Sequence, residues 1–206
     1  MRLLVVTAVA AERDAILAAA PDAEVIIGGV GPAAAAAATA IALSGTPYDL
    51  VISAGIAGGF APLVPGDIAV ASSIVFADLG ADTGTRFVVL SDLGFGTERY
   101  DVEPRLAVEL TDRVGGHLGT ILTVATVTGS SMRAQELLER HPDAVAEAME
   151  GAGVATAAAM VGVPVAEIRA ISNLVGPRDR DAWRIPEALA ALGSAVAAVH
   201  KAGSTG

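Results

Sequence analysis

Short runs of β-branched residues alternate along this chain with alanine-rich stretches of helical length, and no other feature narrows the possible folds so far. LLVVTAV (3–9) leads into AERDAILAA, EVIIGG (24–29) leads into PAAAAAATAIAL, and DLVISAG (49–55) follows. Strand and helix in this order build βαβ units, whose strands lie side by side in a mostly parallel sheet with helices on its faces. From Asp67 the pattern changes. DIAVASSIVFAD and RFVVLSD are strands separated by turns and not by helices, so the middle of the sheet is expected to be mixed. A helix over 104–114, the strand HLGTILTVATV (117–127), the helix MRAQELLERH (132–141) and the short strand AVAEAM come next. The helix GAGVATAAAMVG, the strand PVAEIRAIS (164–172), the polar loop NLVGPRDRDAW and a closing helix PEALAALGSAVAAVHKA complete the order. The prediction is an α/β protein with three αβα layers around a central mixed, mostly parallel sheet, formed as a single domain over residues 1–206.

Hydrophobic residues make up 53% of the 206 positions and aromatics only 3%, so the core must be built from alanine, valine, isoleucine and leucine. The run Ala33 to Ala38 has a low-complexity look, but alanine is the best helix former and Pro32 suits a first helical position, which predicts a tightly packed helix. The first apolar run is too brief for a signal segment or a membrane span. A cytoplasmic protein without a membrane partner is expected. With no cysteine there is no thiolate metal site, and the three histidines, His117, His141 and His200, lack metal-ligand spacing. A formal net charge of −10 argues against a nucleic-acid groove and leaves a small molecule as the expected partner.

Four stretches could carry chemistry. GVGPAA (29–34) matches the loose form of a dinucleotide fingerprint, but the acid expected at the end of the following strand is missing, so a tight turn with close helix packing is the better reading. SAGIAGGF (53–60) places glycine-rich backbone after a strand, where it either turns the chain or approaches a ligand. Glu12 lies in the first turn of a helix. There an acid is usually a solvated dipole partner, yet its place just past the first strand also points it toward the crevice at the strand ends. Glu150 heads an apolar helix, and Arg169, Ser172 and Asn173 approach the end of an apolar strand. A strand arginine needs an acidic partner, so Glu150 and Arg169 form either a structural pair or part of a site in which Asn173 offers a donor and an acceptor to a planar heterocycle. The loop holding Arg178, Asp179, Arg180, Asp181 and Trp183 is either a solvated face or a lid.

Taken together, VTAVAAERD, GGVGPAAAA, SAGIAGGFAPLVPGDIAV, AMEGAGVA and VPVAEIRAISN resemble, in order, the nucleoside phosphorylase and nucleosidase superfamily, specifically its hydrolytic branch. The chain is similar to methylthioadenosine nucleosidases and more so to the futalosine hydrolase family, whose ISN and following polar loop are echoed by ISNLVGPRDRDAW. The resemblance implies that Glu12 activates the attacking water and that Glu150 grips the ribose hydroxyls. It further implies that Met149 packs on the sugar, that Arg169 helps hold Glu12 or the water, that Asn173 faces the purine, and that Ala57 and Gly58 run along the ligand as backbone, with Ser172 beside them. No cofactor and no metal are implied. The implied partners are a nucleoside and further copies of the chain, as a dimer or tetramer.

The chain departs from the adenine-releasing relatives at two positions. Asn173 replaces the acid that protonates the base; an amide donates a hydrogen bond but transfers no proton, which suits a 6-oxopurine. Ile56 replaces a serine near the water, which leaves more of the positioning to Glu12, Arg169 or backbone groups. The resemblance implies hydrolysis of futalosine to hypoxanthine and dehypoxanthine futalosine, a step of menaquinone formation. The alternatives are a methylthioadenosine-type nucleosidase, a phosphorylase, which would need cations around a phosphate, and a binding protein that keeps the fold without turnover.

Overall fold

The computed structural model describes residues 1–203. In chain order the elements are β1 (Leu3–Thr7), α1 (Ala10–Ala19), β2 (Glu24–Ile27), α2 (Pro32–Gly45), β3 (Leu50–Gly59), β4 (Ile68–Phe76), β5 (Gly80–Asp82), β6 (Phe87–Val89) and β7 (Arg99–Asp101). They continue with α3 (Pro104–Val114), β8 (His117–Thr123), α4 (Ser131–Arg140), β9 (Ala144–Ala148), α5 (Gly151–Val161), β10 (Val165–Leu174) and α6 (Ile185–Gly203). Pro32 opens α2 as its first residue, where its missing N–H costs nothing, and Gly162 ends α5 with φ of 72°, a left-handed cap that a side chain disfavours.

The main sheet is mixed and mostly parallel, as the strand spacing implied. β2–β1–β3–β10 pair in parallel, as do β4–β8–β9, while β10 meets β4, β3 meets β9 and β4 meets β7 antiparallel. Because β3 pairs with both β10 and β9, strands β3, β10, β4, β8 and β9 close into a ring, with β1 and β2 extending it as an open wing. Both faces of that wing are covered. Leu3 and Val5 join the core with Ile16 of α1 and Leu192 of α6, while Leu4 and Val6 pack with Ala35 of α2 and Val154 of α5. Alternate residues of one strand buried on opposite faces are what three layers require. No described helix is long and apolar enough to cross a membrane.

Two expectations need correction. SAGIAGGF is not a glycine-rich loop after a strand: β3 runs on through Gly59 because β10 pairs with it on one side and β9 on the other. The glycines there make room for neighbouring side chains, as a Cβ on Gly59 would lie 2.8 Å from Ile171. RFVVLSD also leaves the main sheet; its β6 pairs only with β5 in a small separate hairpin.

Candidate active site

Glu12 is the third residue of α1 and is only 3% exposed, so it is not a solvated helix-start acid. Its Oε2 accepts from the N–H groups of Ala8 (2.9 Å) and Val9 (3.2 Å), and its Oε1 accepts from the Ile56 N–H at 2.9 Å. Folding back on Val9 caps the helix start, and three backbone donors offset the cost of taking the carboxylate out of water. Ile56, which has no hydroxyl to offer, contributes through its main chain. A carboxylate oxygen can accept two hydrogen bonds, and Oε1 takes one, so capacity for a further donor remains.

Arg169 on β10 is 1% exposed and lies between two acids. Its Nη1 is 3.1 Å from Glu150 Oε2, its Nε donates to Glu167 Oε1 at 2.8 Å, and its Nη2 donates to Ser53 Oγ at 3.0 Å. Burial works against the guanidinium charge, but Glu167, Glu150 and Glu12 outweigh it and hold Arg169 protonated. Glu167 feels the opposite balance. Burial pushes its carboxyl up, Arg169 pulls it back, and Glu150 adds to the rise. Gly55 lies beneath this group: a Cβ there would come within 2.6 Å of both Arg169 Nη1 and Glu12 Oε1, which makes those atoms near neighbours across the glycine.

Glu150 immediately precedes α5 and leaves that helix's own N–H groups to others. Its Oε1 accepts from the Gly31 N–H at 3.2 Å, and its Oε2 accepts from the Met149 N–H at 3.3 Å as well as meeting Arg169. The GVGPAA turn therefore forms part of this site, with Gly31 at φ of 89° aiming its N–H at the carboxylate. Arg169 also donates its Nε to the buried Glu167, so Glu150 is not its sole acidic partner.

The second station is at the ends of β3 and β10. Ser172 Oγ is 2.8 Å from Asn173 Oδ1 and 3.2 Å from the Ala57 carbonyl, and Asn173 Nδ2 donates to the Leu174 carbonyl at 2.9 Å. Ser172 thus pins the amide with its oxygen held and one N–H still available. Gly58, Asn173, Thr128, Glu147, Arg178 and Trp183 contribute to the wall of a cavity of about 130 Å³. Arg178 and Arg180 lie over the Trp183 ring at 5.3 and 5.8 Å from its centroid, so the charged loop is folded onto its one aromatic beside Asn173.

The residues singled out from sequence thus fall into two groups: Glu12, Glu150 and Arg169 converge around Gly55, while Gly58 and Asn173 line the cavity and Ser172 hydrogen-bonds with Asn173 and the Ala57 carbonyl. Met149 sits on the turn between β9 and α5, between Glu147 and Glu150. Sequence reasoning missed Glu167, Glu147, Thr128 and Ser53. Glu167 was detectable, since an acid two residues from Arg169 along a strand shares its face. Among the described residues no group of three or more histidines, cysteines or acids could hold a metal ion.

Comparison with known proteins identifies the family. The phosphorylase superfamily model matches residues 16–203. The chain is 54% identical to the futalosine hydrolase of Streptomyces coelicolor, over 95% of this chain and 94% of that one. It is 46% identical to that of Acidothermus cellulolyticus, over 98% and 91%. In fold it is similar to the methylthioadenosine/S-adenosylhomocysteine nucleosidase of Neisseria meningitidis, solved with methylthio-immucillin-A, at a TM-score of 0.86 and 21% identity over 98% and 100% of the two chains. The futalosine hydrolase of Helicobacter pylori superposes at a TM-score of 0.83 with 17% identity, over 97% of each chain. With sequence similarity covering nearly its full length, the chain belongs to the phosphorylase superfamily and, within it, to the futalosine hydrolase family.

Proposed function

We propose that the protein hydrolyses the N-ribosidic bond of futalosine, releasing hypoxanthine and dehypoxanthine futalosine. The 54% identity to the Streptomyces coelicolor enzyme carries the substrate assignment, and the site chemistry supports it. As the ribosyl C–N bond breaks, its electron pair leaves with the purine and positive charge develops on the sugar. Glu150, held by Gly31 and Arg169, grips the 2′ and 3′ hydroxyls. Glu12 takes a proton from the water whose oxygen bonds to C1′, and that proton returns through solvent to the purine anion. Preorganised carboxylates facing a developing cation are an effective form of electrostatic catalysis. Asn173 donates to the departing base, and Met149, Ala57, Gly58 and Ser172 complete the sugar and base contacts. The loop from Arg178 to Trp183 covers the base.

The reading is tested by incubating the protein with futalosine, inosine and methylthioadenosine and following free base. Hypoxanthine from futalosine, with no adenine from methylthioadenosine, is expected. Adenine release without hypoxanthine would overturn it.

The protein further acts as a cytoplasmic homo-oligomer. Val30, Ile41, Met160 and Val161, on α2, α5 and the turn before α2, are exposed apolar side chains that a second copy would cover. Light scattering in solution should return a dimer or tetramer; a monomer at micromolar concentration would contradict this.

A further inference from the structure

Glu150 stands immediately before α5, where an acid ordinarily turns its carboxylate back onto the N–H of the second or third helical residue. It does not do so here. Its backbone is already helical, with φ of −116° and ψ of −31°, whereas a residue whose side chain caps its own helix is usually extended. Its carboxylate instead meets Gly31, Met149 and Arg169. Both helical N–H groups it could have taken are engaged elsewhere: Gly153 donates to the Glu150 carbonyl at 2.9 Å, and Ala152 donates to Thr123 Oγ1 at 2.8 Å.

Thr123 is the last residue of β8, 29 positions before Ala152, and is fully buried. Strand register brings it there. Thr123 pairs with Ala148 at the end of β9, and the chain runs on from Ala148 through Met149 and Glu150 into α5. The strand end is itself held, since the Ala77 N–H donates to the Thr123 carbonyl at 2.8 Å. A buried N–H left without an acceptor is costly. Without the threonine hydroxyl, the Glu150 carboxylate, two residues from Ala152 along the chain, is the acceptor that the position before a helix offers to that N–H. The positive end of the helix dipole adds to the pull on the carboxylate.

We propose that Thr123 is a positioning residue: by capping α5 in place of Glu150, it leaves the Glu150 carboxylate free for the ribose hydroxyls. The role rests on the nucleosidase reading above, which gives Glu150 its ligand. A carboxylate shared between the helix start and the sugar would hold the sugar less firmly and would stabilise the developing cation less well. Thr123 acts through Glu150 and not on the substrate.

The test is futalosine turnover by the full chain carrying Thr123→Val, which keeps the side chain's shape and removes its hydroxyl, with binding of free hypoxanthine measured alongside. The variant's kcat/KM should fall about 10- to 100-fold, while its affinity for hypoxanthine, which has no ribose, stays as in the wild type. Thr123→Ser should restore the rate. Added to Glu150→Gln, Thr123→Val should remove little further activity, because the carboxylate it releases is already gone. Losses that multiply would make Thr123 a structural residue only and overturn the role, as would full activity in Thr123→Val. Should the valine variant not fold, a crystal structure of the wild type decides: Thr123 Oγ1 on the Ala152 N–H supports the proposal, and Glu150 turned back onto that N–H contradicts it. A wild type that releases no hypoxanthine from futalosine would reject the hydrolase reading and this role with it.

Discussion

Glu167 shows how one side chain can shape a site without reaching the substrate. It is fully buried, its Oε2 has no hydrogen-bond partner, and a Cβ on Gly151 would lie 2.0 Å from that oxygen. Burial raises its carboxyl to about 7 against the attraction of Arg169. A raised folded-state value means that the folded protein keeps a proton the unfolded chain has already released. Stability from this group is therefore full below the ordinary glutamate range, near pH 4.5, and falls as pH rises toward 7. Glu167→Gln keeps an oxygen for the Arg169 Nε but has nothing to ionise. Melting temperatures from pH 4.5 to 8 should therefore fall less steeply for the variant than for the wild type, and parallel curves would show that Glu167 stays ionised throughout.

The helices position the site by approaching closely, and small residues make that possible. α5 packs on α2 so tightly that a Cβ on Gly153 would meet the Pro32 carbonyl oxygen at 2.1 Å. That contact ties the start of α5, with Glu150 before it, to the Gly31 N–H before α2. Alanine in place of glycine favours an exposed helix by about 1 kcal/mol, whereas an overpacked core costs about 1–3 kcal/mol, so the clash should prevail. Gly153→Ala is expected to lower the unfolding free energy in urea by roughly 1–2 kcal/mol and to reduce kcat/KM through Glu150; a more stable, fully active variant would show that the helices simply move apart. The helices themselves were legible in the sequence, since alanine runs, Pro32 and the β-branched strands follow local rules. The course of β3 past Gly55 was not, because only pairing with β9 and β10 on both sides makes a strand of so many glycines.

The closure of β3, β10, β4, β8 and β9 into a ring brings distant stretches of chain to one place. Glu12, Glu150 and Arg169 were recognisable from sequence by family resemblance, but their meeting around Gly55 depends on long-range packing that no local pattern encodes. The same is true of the Thr123 cap on Ala152, which joins the end of β8 to the start of α5. The proposed function has this site deliver water, and not phosphate, to the anomeric carbon. The direct measurement is turnover of futalosine in ¹⁸O-labelled water without phosphate, with mass analysis of the sugar product. The protein should place one ¹⁸O on the sugar and release hypoxanthine, and Glu12→Gln should slow this by about 10²- to 10⁴-fold while still binding the base. Turnover that requires phosphate, or a Glu12→Gln variant as fast as the wild type, would contradict the account.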